Sequence, residues 1–270
     1  VKKMKDVKII FLDLDGTLRN NEKKVSERCR KILKKLEERG IKIIFTTGRS
    51  LSHTALINRQ FLSGGYVISS NGAEIYNVNT NEVIYNNTIS SVNIMFLSEL
   101  VKKYNLFFTA NVFNKCYTNK LEEDTGLIYQ KDLISLNSLK ISQVIIESSS
   151  LNNMKLFRRD LSANGELRII NKSKNITNPS GLLFYDITNS DVSKGVAARY
   201  LCDYFNIDYT KTMAVGDSDN DIELLNFVKV KVAMANATDK LKAVANVVTL
   251  SNEKDGVAII LEQLYDEITK

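Results

Sequence analysis

Val7 to Leu12 (VKIIFL) is an almost continuous apolar run, and it stops at Asp13-Leu14-Asp15-Gly16-Thr17. A run apolar along both faces reads as a strand buried on both sides, as parallel strands under helices are. An amphipathic helix follows from about Ser26 to Arg39, with Val25, Cys29, Ile32, Leu33 and Leu36 as its apolar stripe. Gly40 stands just past its end, where a left-handed residue closes a helix. A second buried run, Ile41 to Phe45 (IKIIF), ends at Thr46-Thr47-Gly48-Arg49. Strand, helix, strand is a βαβ unit whose two strands lie parallel in one sheet.

The pattern continues with a helix from about Leu51 to Leu62, then Tyr66-Val67-Ile68 and Ser69-Ser70-Asn71-Gly72. From about Val83 the texture changes. Ser91 to Tyr104 reads as a helix with Ile94, Leu97, Leu100 and Val101 on one side. Gln143 to Glu147, Leu167 to Ile170 and Leu182 to Ile187 read as strands, with a helix from Leu151 to Ala163. Asn119 to Leu139 and Asn171 to Gly181 carry no readable pattern. After Asp191 the α/β rhythm returns. Ser193 to Phe205 reads as a helix with Val196, Tyr200, Leu201 and Tyr204 on its inner face. Thr212 to Val215 is a strand ending at Gly216-Asp217-Ser218-Asp219-Asn220-Asp221, where a helix carrying Leu224 and Leu225 starts. Val228 to Ala233 and Ala245 to Leu250 are strands, and a last helix presents Val257, Ile260, Leu261 and Leu264. The expected architecture is α/β: a doubly wound, Rossmann-like parallel sheet from residues 1–82 and 187–270, split by an α+β domain at 83–186. An insertion of that length is too long for a loop and suits a domain, and 270 residues suit two domains.

Composition narrows the function. Lys and Arg number 37 against 31 Asp and Glu, a net charge of +6. The basic helix from Lys23 to Arg39 has its charges opposite an apolar stripe, which is a solvated face, and no basic ribbon is interleaved with aromatics. Both argue against a nucleic-acid partner. Three scattered cysteines (Cys29, Cys116, Cys202) and a single histidine, His53, leave no Cys/His zinc site. The thiols fit a reducing, cytoplasmic setting. The basic start (Lys2, Lys3, Lys5, Lys8) and its apolar run mimic a signal peptide. The run is cut by Asp13 and Asp15 with no small-residue cleavage site, so it reads as a charged lead into a strand. No run approaches the ~18 apolar residues of a membrane span.

In open α/β sheets ligands sit beyond the carboxyl ends of the strands. Four polar clusters stand at such ends or at an adjacent helix start: Asp13 to Thr17, Thr46 to Arg49, Lys194, and Asp217 to Asp221. They bring up to four carboxylates, Asp13, Asp15, Asp217 and Asp221, into one volume, where bare they repel one another. A hard divalent cation such as Mg²⁺ removes that conflict. With the metal and Lys194 present, the place attracts a phosphate dianion, held by backbone N–H groups around Gly16 and Gly48 and by the Thr47 hydroxyl. One carboxylate can then attack phosphorus while another moves the proton, without a histidine.

These residues resemble the motifs of the haloacid-dehalogenase (HAD) superfamily of phosphatases. Asp13-Leu14-Asp15-Gly16-Thr17 resembles its first motif, Thr47 its second, Lys194 in Asp191-Val192-Ser193-Lys194-Gly195 its third, and Gly216-Asp217-Ser218-Asp219-Asn220-Asp221 its fourth. The insertion falls where the Cof-type subfamily carries its larger (C2-type) α/β cap. Ser70-Asn71-Gly72-Ala73, Val232 to Ala237 and Asp255-Gly256-Val257-Ala258 are similar to Cof-type stretches. The resemblance spans nearly the whole chain and is weakest in the cap. It implies a HAD-type phosphatase with a Mg²⁺ cofactor. Asp13 is then the nucleophile, forming an aspartyl-phosphate, and a metal ligand. Asp15 is the general acid/base and a metal ligand through its carbonyl. Thr47 and Lys194 bind phosphate, Asp217 ligates Mg²⁺, and Asn220 and Asp221 stand behind it. An Asp at position 15, where ion-pumping relatives have Thr, favours fast turnover.

Plainer readings stand beside these. Asp13 to Gly16 suits a turn, and Asp217 to Asp221 suits a helix N-cap with an acidic first turn. The latter also resembles the opening of a calcium loop, but the required Gly and distal Glu are out of register. Thr46 competes with Thr47. Lys194 opposes the macrodipole of its helix, which favours a functional reason for it. Arg49 is left unassigned, and His53 reads as structural. The cysteines and the aromatics Tyr76, Tyr104, Phe107, Phe108 and Phe113 read as core. The expected function is hydrolysis of small phosphorylated metabolites, sugar phosphates foremost. A phosphotransferase such as a phosphomutase, similar to phosphomannomutases in the first motif, is the alternative, and a non-catalytic nucleic-acid-binding module a more distant one. A cap of this size closes the site without a partner subunit, so a monomer or weak homo-oligomer is expected.

Overall fold

The first apolar run forms β1 (Ile9–Asp13), buried at every residue, in the middle of the larger of two sheets. The computed structural model describes residues 4–121, 126–172 and 181–270. Lys2, Lys3 and parts of the two unpatterned stretches lie outside the described residues. After β1 come α1 (Glu27–Glu38), β2 (Lys42–Thr46), α2 (Leu51–Phe61), β3 (Tyr66–Ser69), β4 (Glu74–Asn77) and β5 (Glu82–Asn86). The chain then builds α3 (Ser91–Lys103), β6 (Phe107–Val112), β7 (Lys115–Thr118), β8 (Ile128–Tyr129), β9 (Gln143–Ser148), α4 (Leu151–Leu161), β10 (Leu167–Lys172) and β11 (Leu183–Asn189). It returns with α5 (Lys194–Tyr204), β12 (Thr212–Gly216), α6 (Ile222–Phe227), β13 (Val230–Ala233), α7 (Asp239–Val244), β14 (Val247–Val248) and α8 (Gly256–Thr269).

Among the described residues the larger sheet has the order β14-β13-β12-β1-β2-β3-β4-β5. Strands from β14 to β3 run parallel, and β4 and β5 add an antiparallel edge. The order reverses between β1 and β12. The connections leaving those two strands therefore diverge and open a crevice at their carboxyl ends. Local chemistry sets the elements. The Ser26 hydroxyl accepts from the Cys29 amide at 3.1 Å to start α1. Gly40, at φ +76°, ends it by donating to the Glu37 carbonyl while Ile41 donates to that of Leu36.

The smaller sheet has the order β10-β11-β9-β6-β7-β8 and is antiparallel except where β7 meets β8. Its helices α3 and α4 supply Ile94, Leu97, Leu100, Val101, Met154 and Phe157 to a hydrophobic cluster separate from that of the larger sheet. The expected boundaries at 82/83 and 186/187 fall inside β5 and β11. β5 stays with the larger sheet until Asn86, paired with Glu74, and β11 stays with the smaller one until Asn189, paired with Leu167. The two crossings are tied together. Asn87 Nδ2 donates to both carboxylate oxygens of Asp191 at 3.1 Å, and Asn189 Nδ2 donates to Asn87 Oδ1 at 2.6 Å.

Some expectations are corrected. The inner face of α5 is not Val196, Tyr200 and Tyr204, which are exposed. It is Lys194, Gly195, Ala197, Ala198, Leu201 and Cys202. Small residues let α5 approach α6 closely, while Tyr200 and Tyr204 stack on each other and cover Tyr85 and Tyr66 outside. Of the aromatics expected in the core, Phe107 and Phe113 are partly exposed. The strand expected over Ala245 to Leu250 is only β14. Among the described residues no helix is long and apolar enough to cross a membrane.

Candidate active site

The crevice at the β1/β12 reversal collects the acids. Asp13 is the last residue of β1, Asp217 follows β12 directly, and Asp221 closes the short turn Asp219–Asp221. Oxygens of Asp13, Asp217 and Asp221 lie within 4.8 Å of one another, a set able to hold a metal ion. Gly16 makes the approach possible. It sits at φ +83°, and a Cβ there would meet Asp217 Oδ2 at 2.4 Å.

Lys194, fully buried at the first turn of α5, places Nζ 2.6 Å from Asp13 Oδ1 and 2.6 Å from Asp221 Oδ1. Ser193 starts that helix by accepting from the Val196 amide at 3.1 Å. Burial works against the ammonium, but Asp13 and Asp221 outweigh it and raise its pKa. Burial drives the Asp13 pKa well up, against Lys194, and the charges of Asp221 and Asp217 add to the rise. Asp217 is pushed up to about 6, first by burial and then by Asp221. Two buried acids and a half-buried one around Lys194 are thus under-neutralised, which is the condition a bound cation relieves. Asp221 has both oxygens occupied, Oδ1 by Lys194 and Oδ2 by the amides of Asp217 and Ser218 at 3.1 Å each. Its protein partners suit it to bracing the set rather than binding a ligand.

Asp15 stands apart from this trio. Arg49 grips its carboxylate with Nε on Oδ2 and Nη2 on Oδ1 at 3.0 Å. Lys23 and Arg19 approach the same Oδ1 at 3.3 and 3.4 Å. Burial would raise the Asp15 pKa, but Arg49, Lys23 and Arg19 together hold it below the usual value. Thr47 lines the crevice, and its Oγ1 accepts from the Arg49 amide at 3.2 Å. The Thr46 hydroxyl is buried without a hydrogen-bond partner among the described residues. Asn220, expected behind the metal ligands, lines the same crevice, gives its amide to Asn71 Oδ1 at 2.8 Å and accepts from Ser218 Oγ.

The smaller sheet covers this crevice. A cleft of about 350 Å³ has Asp13, Asp15, Thr47, Gly48, Arg49, Ser218 and Asn220 on one side. Opposite stand Ile145 and Glu147 of β9, Asn171 of β10, and Phe184 and Asp186 of β11. Burial pushes Asp186 up to about 6, although amides of Asn71 and Asn171 donate to it. Sequence reasoning missed Arg49's grip on Asp15 and every residue of the covering wall. Arg49 had a signal, as it adjoins the Thr47-Gly48 cluster. The wall residues sit on ordinary strand positions and had none.

A family model described as haloacid dehalogenase-like hydrolase matches residues 10–261. A 5-amino-6-(5-phospho-D-ribitylamino)uracil phosphatase of Bacillus subtilis is 29% identical over 253 residues, covering 94% of each chain. The protein YxeH of the same organism is 30% identical over 277 residues, covering 95% of this chain and 98% of its own. The solved structure of a haloacid dehalogenase-like hydrolase from B. subtilis superposes with a TM-score of 0.84 at 23% identity, covering 96% of this chain and 100% of that one.

Proposed function

Because this chain belongs to the haloacid dehalogenase-like hydrolases and is a phosphatase of that family, we propose that it is a Mg²⁺-dependent phosphomonoester hydrolase of small phosphorylated metabolites, sugar and polyol phosphates foremost. The observation that carries the reading is the buried Lys194 bridging Asp13 and Asp221 at 2.6 Å beside Asp217. It presents one restrained carboxylate to a cleft lined by Thr47 and Gly48.

In this reading Asp13 and Asp217 hold the metal, with the Asp15 carbonyl. Bound there, Mg²⁺ offsets the acids' mutual repulsion and polarises the phosphoryl oxygens. Lys194 holds Asp13 by one oxygen and opposes the burial that raises its pKa, and a bound cation would complete that neutralisation. The Thr47 hydroxyl accepts from the Arg49 amide, so its own proton is available to a phosphate oxygen, beside the backbone amides at Gly16 and Gly48. Asp13 attacks phosphorus, the bond to the leaving oxygen breaks, and an aspartyl-phosphate forms. Asp15 gives the departing alkoxide its proton. It then takes a proton from water, which attacks phosphorus, releases phosphate and restores Asp13. Arg49 stabilises Asp15 in the ionised form that it holds between the two steps, after the first proton has left and before water supplies the next.

We assign the stretch between the two crossings, residues 87–190, to a cap that encloses the leaving group and excludes water. A cleft of about 350 Å³ suits a small metabolite. The B. subtilis relative's named substrate carries its phosphate on a ribityl chain, which supports a polyol phosphate here. The test is phosphate release from sugar phosphates, nucleotides and p-nitrophenyl phosphate, with Mg²⁺ and with EDTA. Metal-dependent release is expected, with labelled water oxygen appearing in the phosphate. Asp13→Asn is expected to lower turnover by at least about 10³-fold with unchanged circular dichroism. Activity that survives EDTA or Asp13→Asn overturns the assignment.

A further inference from the structure

The turn Ser70–Gly72 has so far no part in the chemistry, yet it touches the Thr47–Arg49 loop, the start of the Lys194 helix, Asn220 and the covering sheet. Ser70 and Asn71 both lie in the left-handed region, at φ +48° and +58°, a conformation that Asn tolerates better than most residues. The Asn71 amide donates to the Thr47 carbonyl, and the Ser70 amide to that of Arg49, both at 2.9 Å. Gly72 lies against Ser193, where a Cβ would meet the Ser193 carbonyl oxygen at 2.2 Å. The same turn therefore abuts the Thr47–Arg49 loop and the start of the Lys194 helix.

The Asn71 side chain is fully buried. Its Nδ2 donates to Gln143 Oε1 at 2.9 Å and to Asp186 Oδ2 at 3.2 Å, both in the covering sheet. Its Oδ1 accepts from Asn220 at 2.8 Å. A left-handed Asn that served only its own turn would bond to nearby backbone. The side-chain bonds of Asn71 instead span 72, 115 and 149 residues of sequence. Gln143 continues the chain by donating Nε2 to the Gly48 carbonyl at 3.1 Å. Gly48 itself has no room for a side chain, since a Cβ would stand 2.9 Å from Asn71 Nδ2.

We propose that Asn71 is a positioning residue that makes the site's assembly depend on the cap: Gln143 and Asp186, seated on its amide, fix the Thr47–Gly48 loop and, through Asn220, the acidic loop. A cap that rocks away breaks both Asn71 donations and the Gln143–Gly48 bond in one motion. Water replaces such bonds, so the joint opens readily, while the loops it braced lose their register. A leaving group large enough to draw the cap down thereby completes the machinery that removes it. A very small substrate gains nothing from the joint.

The inference rests on the phosphatase reading, which acetyl phosphate turnover by the unaltered protein tests separately. The experiment compares kcat and KM for p-nitrophenyl phosphate, whose ring reaches toward the cap, with those for acetyl phosphate. Asn71→Asp suits the left-handed backbone and keeps the acceptor for Asn220, but turns oxygens toward Gln143 and Asp186. It is expected to lower kcat for p-nitrophenyl phosphate about 30-fold or more, and kcat/KM relative to acetyl phosphate about 10-fold, as small misplacements of reacting groups do. Adding Asp186→Asn puts a donor opposite the new carboxylate, and the pair is expected to recover about 5-fold or more, a coupling read from the full cycle. A folded Asn71→Asp protein that keeps the wild-type substrate ratio overturns the proposal. So does an equal loss on both substrates that the second change does not recover. Should Asn71→Asp not fold, Gln143→Met breaks the joint from the cap side and must shift the same ratio.

Discussion

His53 shows how a cation-rich corner acts on a single residue. Its Nε2 stands 3.5 Å from Arg19 Nη1, with Arg49 close by and Asp15 as the counter-charge. Burial, then Arg49 and Arg19, lower its pKa to about 4, and Asp15 opposes them only weakly. The folded value therefore lies below the ordinary value of 6.5. Neutral His53 contributes stability that is fully present above pH ~6.5 and is lost as pH falls toward ~4, because the unfolded chain takes up the proton first. As the only histidine, it gives one imidazole Cε1–H resonance. Its midpoint by NMR titration is expected near 4 and should move up in Arg49→Met, which removes one repelling charge. The His53→Gln protein should show a flatter denaturation midpoint between pH 4 and 6.5. A wild-type imidazole midpoint of 6 or above would show that neither burial nor the arginines act on it as the geometry requires.

At the scale of elements, α5 decides where Lys194 stands, and its approach to α6 decides α5. Gly195 has no side chain at that contact, where a Cβ would lie 2.6 Å from the Glu223 carbonyl oxygen. Helix propensity alone predicts that Gly195→Ala stabilises by about 1 kcal/mol. The contact predicts the opposite sign, a loss of about 1–3 kcal/mol in urea unfolding, because the neighbour is backbone and cannot swing aside. A more stable Gly195→Ala would show that the helices have room between them. The same contact explains what the sequence left unread. Strands such as IIFLD and KIIFT were legible because burial on both faces leaves continuous apolar runs. The buried face of α5 was not, because Gly195, Ala197 and Ala198 make no apolar stripe. The edge strands β4 and β5, EIYN and EVIYN, are short and half polar, so nothing set them apart from loops. At the site, the positions of Asp13, Thr47, Lys194 and Asp217 at the crevice were legible because each ends a strand, directly follows one or starts a helix. Asn71, Gln143, Glu147 and Asp186 were not, since their meeting depends on how the second sheet lies over the first.

For the whole molecule, the two hydrophobic clusters predict two folding units. Phe108, Ile146, Phe157 and Ile187 are fully buried in the smaller cluster and belong to one uninterrupted stretch of chain. The larger cluster is assembled from both ends of the chain. The stretch 87–190 has the length of an ordinary domain, three central antiparallel strands and its own helices, so it is expected to unfold cooperatively when expressed alone. The complementary experiment replaces residues 88–189 with a short Gly/Ser linker. Asn87 and Asp191 already share two hydrogen bonds, so the linker has little distance to span, and the larger sheet should still form. What connects the units is mainly polar: Asn71 to Gln143 and Asp186, Gln143 to Gly48, and Asn111 to Ser70 at 3.2 Å. A polar seam that water can replace lets one body move on another, whereas a shared apolar core would fuse them. Cooperative melting of 87–190 by circular dichroism would support a cap that moves as a rigid body about its paired crossings. A fragment without a cooperative transition would mean that the smaller sheet needs the larger one to fold, and that motion of the cover is confined to its loops.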